Sequence, residues 1–215
     1  MEVQVETSHY VFSNYVNQDR WNSYYQQIFE ASKCKGKNIL YIGTGDGIVV
    51  DVLRKIGKNV KTLDFDKALK PDYVGSVTKI KEILGKDWDT FDVILCCQVL
   101  EHLPFSEFEK TVKQLAKCAK QRLIISLPNN NRKYRIFMHL PRPIGKHKGT
   151  LLIRRHFTKK WDINNQGNGE HYWEIDAKGC PKRKDIAKIL KKYAKKLKFY
   201  TLFENPYHIF FILDK

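Results

Sequence analysis

Apolar runs and helix-spaced apolar positions alternate along the first 128 residues of this chain. In residues 18–33 (QDRWNSYYQQIFEASK), Trp21, Tyr24, Tyr25, Ile28 and Phe29 recur at helical spacing, predicting an amphipathic helix with those five residues as its apolar face. KNILYIG (37–43) is a short apolar run that ends at glycine, the pattern of a buried strand. A helix over 46–57 closes near Gly57, and NVKTLDFD (59–66) reads as the second strand. A short strand (73–77) and a helix (78–84) follow, then FDVILCCQVL (91–100), the longest apolar run and the predicted central strand. A helix over 105–119 and the strand RLIISLP (122–128) complete the series.

Strands and helices alternating at this pace imply βαβ units and a parallel, doubly wound sheet. After Pro128 the rhythm breaks for some fifty residues rich in Asn, Pro, Gly and basic side chains. So long a stretch inside a compact domain is usually functional. A lysine-rich helix over 182–197 follows, with Ile186, Ile189, Leu190, Tyr193 and Leu197 as its apolar face. The tail KFYTLFENPYHIFFILDK predicts two antiparallel strands joined at Asn205-Pro206. A length of 215 residues suits one α/β domain over 1–215, with an N-terminal helical cap (1–36) and a basic inserted lid (129–181).

Charge sharpens this outline. Residues 128–198 hold 20 Lys and Arg against 5 Asp and Glu, whereas the other 144 residues hold 19 against 18. Nearly all of the net +16 therefore lies in one third of the chain, as either a face for an anionic partner or a well-solvated surface. In the lid, Arg132, Lys133, Arg135, Arg142, Lys146, Lys148, Arg154, Arg155, Lys159 and Lys160 are interleaved with Tyr134, Phe137, Phe157 and Trp161. Cations for phosphates and aromatics for stacking suit single-stranded nucleic acid, and equally a lid whose aromatics pack on the core. Five scattered cysteines (34, 96, 97, 118, 180) without a C-x-x-C pair predict neither disulfides nor a zinc site. With no basic start leading into an apolar stretch and no apolar run long enough for a membrane span, the expected home is the cytoplasm.

The first chemical signal is Gly43-Thr44-Gly45-Asp46-Gly47, which follows a strand and opens a helix. A dinucleotide fingerprint would place its third glycine at 48, where this chain has Ile48. G-x-G-x-G suits instead a nucleoside that brings no pyrophosphate to the helix end. Asp64 closes the second strand, placed to accept hydrogen bonds from both ribose hydroxyls.

These segments resemble the class I S-adenosylmethionine-dependent methyltransferases. ILYIGTGDG (39–47) is similar to their glycine-rich first motif and VKTLDFD (60–66) to the segment ending in the ribose-binding acid. FDVILCCQVLEHLP (91–104) and RLIISLPN (122–129) resemble the subgroup with LEHL after strand four and PN after strand five. The likeness is close over about residues 37–130 and elsewhere holds only in the order of elements. It implies a Rossmann-like, mostly parallel seven-stranded sheet with an antiparallel C-terminal hairpin. It also implies S-adenosylmethionine as cofactor, with Gly43, Thr44 and Gly45 beneath its methionine part and Asp64 on the ribose. Phe65 and Val77 would cover the two faces of the adenine, and Gln98 would border the sulfonium. Two residues depart from the pattern: Tyr41 stands where the family usually has an acid, and Ser76 where it often has the carboxylate that receives the adenine amino group.

Candidate acceptor-side residues are His102, after strand four, and His171, before the last long helix, each a general base or a structural residue. Gln98-x-x-Glu101-His102 with the later His171 also resembles the E-x-x-E-H segment of metal-dependent RNA 3′-end 2′-O-methyltransferases. There Gln98 replaces an anionic ligand with a neutral one, and the expectation is no metal. The absence of N-P-P-Y or D-P-P-Y after strand four argues against the amide-nitrogen acceptors of that type. The function expected first is methyl transfer to an oxygen or nitrogen of a small or medium-sized metabolite, neutral or anionic. RNA methylation with docking through 129–198 is the second reading. A non-catalytic binding protein that kept the fold, suggested by Tyr41 and Ser76, is the third.

Overall fold

The computed structural model describes residues 10, 12–141, 150–160 and 171–215. Five parallel strands, β1 (Asn38–Ile42), β2 (Asn59–Asp64), β3 (Tyr73–Val74), β4 (Val93–Cys97) and β5 (Arg122–Pro128), join two C-terminal strands in one sheet. A separate pair, β6 (Asn131–Pro141) and β7 (Thr150–Lys160), forms an antiparallel ladder of its own. The C-terminal strands are β8 (Lys196–Thr201) and β9 (His208–Asp214), and the order across the main sheet is β3-β2-β1-β4-β5-β9-β8. β9 runs antiparallel to both neighbours, as the hairpin around Asn205-Pro206 predicts.

The central strands β1, β4 and β5 are almost wholly buried and largely apolar because both sheet faces are covered there. Leu40, Ile42, Ile94, Leu123 and Ile125 point to the face packed by α4 (Ile80–Leu84), α5 (Phe105–Cys118) and α6 (Arg183–Lys191). Ile39, Tyr41, Val93, Leu95 and Ile124 point to the other, covered by α2 (Gln18–Ser32) and α3 (Ile48–Lys55). A short helix, α1 (Phe12–Tyr15), precedes α2. The adjacent Cys96 and Cys97 thus fall on opposite faces, and all five cysteines are free thiols.

Three expectations need correction. The predicted strand over 91–100 is strand only from Val93 to Cys97; the chain then bends through Gln98, at φ +57°, into a 3-10 turn, Leu100–His102. The helix predicted over 182–197 stops at Lys191, because Lys195 N–H donates to Asp214 O (2.9 Å) and β8 begins pairing with β9. Sheet pairing there overrides the helix preference of the lysine-rich run.

The third correction concerns the predicted apolar face of α2. Trp21, Tyr25 and Phe29 are exposed (47%, 61% and 41%), whereas Ser23, Gln26, Gln27 and Glu30 are buried beside Tyr24 and Ala31. Those buried polar groups have partners. Arg122 on β5 reaches the Glu30 carboxylate (3.2 Å) and Asp214 on β9 (2.7 Å), while Tyr200 OH donates to Glu30 at 2.8 Å. Gln26 Nε2 in turn donates to Tyr200 OH (2.6 Å). This network fixes α2 against the sheet and turns its polar side toward the cavity described below.

On the opposite face, the fully buried Phe108 stacks on Phe105 (ring centroids 5.5 Å) and meets Trp173 edge-on (5.3 Å). Phe108→Ala should lower stability by about 3–5 kcal/mol, read from urea unfolding.

Candidate active site

At the carboxyl ends of β1 and β4 the winding of the sheet reverses, which is where open α/β sheets bind ligands. A cavity of ≈ 390 Å³ opens at that point, within the roughly 300–1,000 Å³ typical of small-molecule sites. Every site residue expected from the sequence lines it: Gly43, Thr44, Gly45, Asp64, Phe65, Ser76, Val77 and Gln98, together with His102 and His171.

The floor is the glycine turn. Gly43 extends the ladder, its N–H donating to Leu63 O (2.9 Å), and then turns at φ +81°. A Cβ there would lie 2.5 Å from Val99 Cγ2, so only glycine lets the turn sit against that residue. Gly45 also adopts positive φ, +55°. Thr44 N–H donates to Asp64 Oδ2 (2.6 Å) and Asp66 N–H to Asp64 Oδ1 (3.0 Å), so the acid is held from both sides. Burial raises the Asp64 pKa, while the N–H groups of Asp66 and Thr44 pull it down. Two ionised oxygens offer about four lone-pair sites, which leaves room for two ligand hydroxyls. Thr44 Oγ1 is also buried with no hydrogen-bond partner among the described residues. A backbone turn closed to side chains, a braced carboxylate and an orphaned hydroxyl on one cavity fit an adenosine.

The two departures have structural explanations. Tyr41 is buried and its hydroxyl donates to Gln27 Oε1 on α2 (2.8 Å). An acid is nevertheless present one turn away, because Asp46, between Gly45 and Gly47, accepts from Tyr24 OH (2.7 Å). Burial, then Asp46 itself, pushes the Tyr24 hydroxyl far above its ordinary pKa and keeps it a donor. Ser76 Oγ lies 2.9 Å from Thr78 Oγ1 and caps the turn Val77–Lys79, so its hydroxyl is partly engaged.

Sequence reasoning missed the contribution of the N-terminal segment. Tyr10, Tyr15, Arg20 and Tyr24 all line the cavity, with the Arg20 guanidinium 3.8 Å from the Tyr15 ring centre. Burial, followed by Tyr15 and Asp64, pushes the Tyr10 pKa up to about 12. The signal available for Tyr24 was its place in the aromatic repeat, which pointed to core packing instead.

At the far side, chain segments seventy residues apart are stitched together. Tyr172 N–H donates to Glu101 O (2.9 Å) and the Trp173 indole N–H to Leu103 O (2.9 Å). These bonds bring the His102 and His171 rings edge to face, with centroids 4.9 Å apart. Ligand atoms of Glu101, His102 and His171 all lie within 4.8 Å of one another, bringing together the three residues that the metal-enzyme resemblance groups. His171 Nδ1 hydrogen-bonds the Glu174 carboxylate (2.9 Å), which also accepts from Tyr207 OH (2.7 Å). Glu101 is fully buried, and burial pushes its pKa up to about 8.

Of the basic residues expected in a lid, Arg132, Lys133 and Arg135 lie on β6 and Arg154, Arg155, Lys159 and Lys160 on β7. Arg142, Lys146, Lys148 and Trp161 lie outside the described residues. Among the described residues no helix is long and apolar enough to cross a membrane.

Residues 14–193 match the model of a methyltransferase domain family, and the chain belongs to that family. Its seven-stranded sheet is that of the S-adenosylmethionine-dependent class I methyltransferases. The chain is 27% identical over 115 residues to a ubiquinone biosynthesis O-methyltransferase of Coxiella burnetii, covering 49% of this chain and 48% of that protein. It is 32% identical over 89 residues to ribosomal RNA small subunit methyltransferase A of Phytoplasma australiense, covering 37% and 31% respectively. It thus spans about half the length, or less, of these relatives. Its fold is similar to that of an S-adenosylmethionine-dependent methyltransferase from Clostridium acetobutylicum, with TM-score 0.56 and 12% identity over 96% of this chain and 95% of that one.

Asp64→Ala should weaken S-adenosylhomocysteine binding by about 1.5–3 kcal/mol, the range for a hydrogen bond to a charged group. Calorimetry measures this, and unchanged affinity would mean that the ribose sits elsewhere.

Proposed function

We propose that the chain, acting as one catalytic domain with 129–181 as an inserted lid, transfers a methyl group from S-adenosylmethionine to an oxygen or nitrogen of a small or medium-sized metabolite. The observation that carries this reading is the Asp64 carboxylate, braced by Thr44 and Asp66 at the rim of a cavity floored by the glycine turn. Asp64 would receive the ribose hydroxyls, and Phe65 and Val77 would enclose the adenine. Asp46 would serve the ammonium end in place of the acid missing at Tyr41, and Arg20 would neutralise the amino-acid carboxylate.

The bound sulfonium supplies an already activated methyl group. This chain's own work is therefore alignment and proton removal. The acceptor's lone pair forms the new bond to the methyl carbon as the sulfur–carbon bond breaks and its electron pair stays on sulfur; the acceptor proton passes to a base. His171, whose Nδ1 engages Glu174, would take that proton. The C. burnetii relative, an O-methyltransferase of ubiquinone biosynthesis, is consistent with a small-molecule acceptor.

A second reading, methylation of RNA, draws on the charge of 128–198, where 20 basic residues face 5 acidic ones, and on the ribosomal RNA enzyme among the relatives. Salt separates the two, since RNA affinity falls steeply between low and moderate salt while that for a neutral metabolite does not.

Calorimetry with S-adenosylmethionine and S-adenosylhomocysteine tests the proposal. Both should bind, and failure of both at millimolar concentration would favour a binding protein that kept the fold without the chemistry.

A further inference from the structure

We propose that His208 is a specificity-determining residue on the acceptor side of the cavity: a neutral imidazole that donates from Nε2 to a carbonyl-type oxygen of the methyl acceptor. The inference rests on the methyltransferase reading for the role of that hydrogen bond, though not for the protonation state of the ring.

The topology puts His208 opposite the nucleoside. β9 runs antiparallel, so its first residue lies at the carboxyl ends of the parallel strands, paired with Pro128 at the end of β5. In the order β3-β2-β1-β4-β5-β9-β8, that is across β4 from β1 and β2, whose ends carry the glycine turn and Asp64. His208 lines the same cavity, and so does its neighbour Tyr207, with ring centroids 5.3 Å apart. Tyr207 OH donates to the Glu174 carboxylate that engages His171, so His208 adjoins the residues that hold the proposed base.

Buried neighbours decide which ring nitrogen carries the proton. Asn205 is fixed in one orientation: Oδ1 accepts from Tyr207 N–H (3.2 Å), and Nδ2 donates to Asp19 O (2.8 Å), a carbonyl that can only accept. The second hydrogen on Nδ2 serves Ser23 Oγ, also at 2.8 Å. Ser23 accepts that bond and turns its own proton to His208 Nδ1, 2.8 Å away. The Asn205 amide nitrogen itself faces Nδ1 at 3.4 Å. A nitrogen approached by two donors presents its lone pair, which leaves the proton of the neutral ring on Nε2. Ser23, Asn205 and His208 are 1%, 3% and 7% exposed, so water does not compete for these bonds.

A donor preset in this way restricts the acceptor. Nε2–H matches an oxygen lone pair and opposes an amine or amidine, which would set N–H against N–H. Ser23 and Asn205 disfavour the other tautomer, so the ring cannot adapt by moving its proton. A site built around one buried hydrogen bond discriminates strongly against ligands that cannot complete it. His208 would thus hold one oxygen of the acceptor while His171 takes the proton from the atom being methylated.

The test is nitrogen-15 NMR of the full chain, labelled at histidine and saturated with S-adenosylhomocysteine. The titrants are three planar molecules of one shape: benzoate, benzamide and benzamidine. The first two carry a carbonyl-type oxygen, charged in benzoate and neutral in benzamide, whereas benzamidine offers only N–H donors. The His208 signals, assigned by their loss in His208→Gln, should report a bare Nδ1 and a protonated Nε2 at neutral pH. Benzoate or benzamide should shift Nε2, and benzamidine should not. Binding of benzoate alone identifies a carboxylate on the acceptor, and binding of both identifies a carbonyl oxygen whatever its charge. His208→Phe should weaken that binding about tenfold, and His208→Gln, whose side-chain amide takes the place of Nε2, should restore it. Circular dichroism and S-adenosylhomocysteine affinity should be unchanged in both variants. A residue that merely ties β9 to α2 would give neither the preference among probes nor the rescue by Gln. A proton on Nδ1 of the unmodified chain would overturn the proposal, as would benzamidine binding as tightly as the oxygen probes. So would the absence of any Nε2 shift with benzoate and benzamide at tens of millimolar, or folded His208→Phe binding them undiminished. Failure of S-adenosylhomocysteine to bind, with the His208 tautomer as expected, would instead overturn the methyltransferase reading.

Discussion

The hydrogen bond from Thr44 N–H to the Asp64 carboxylate, 2.6 Å long, is the constraint on which the site depends. It ties the turn after β1 to the end of β2, so the two parts that would grip a nucleoside share one rigid unit. Desolvation works against an ionised carboxylate at that depth and raises its pKa, and the two backbone donors offset this in part. The same geometry explains why Gly43 must be glycine. The turn presses on Val99, just past the end of β4, with no room for a side chain. Turn, acid and the reversal between β1 and β4 are therefore one arrangement.

The rest of the cavity is built from segments far apart in the chain. The polar face of α2 is held down by Arg122 through Glu30, which brings Arg20, Tyr24 and Gln27 to the cavity. On the opposite side, Trp173 anchors the 171–175 segment over the helix start after β4 and delivers His171 beside His102. A rigid floor made by the glycine turn thus meets a wall assembled by tertiary packing.

How much of this was legible in the sequence follows from the range of the interactions. The first five strands and the antiparallel closing pair follow in the expected order, and the eight residues expected at the cofactor line one cavity, because those signals are local. The failures are tertiary. The aromatic repeat of α2 looked like a core face, yet Tyr25 and Phe29 are exposed and Gln26 and Glu30 buried, because Arg122 and Tyr200 supply partners that no local pattern announces. Helix α6 was expected to run to 197 because nothing in a lysine-rich run signals that β9 waits to pair with residues 196–201. The nearness of His171 to Glu101 exists only once two segments seventy residues apart are hydrogen-bonded together.

The central claim is that the hollow between β1 and β4 cups an adenosine whose ribose rests on the second-strand acid. A crystal structure of the chain grown with S-adenosylhomocysteine addresses it most directly. The account predicts both ribose hydroxyls within about 2.6–3.2 Å of the Asp64 carboxylate oxygens. A nucleoside seated elsewhere, or a cavity filled by the protein's own side chains under saturating ligand, would contradict it.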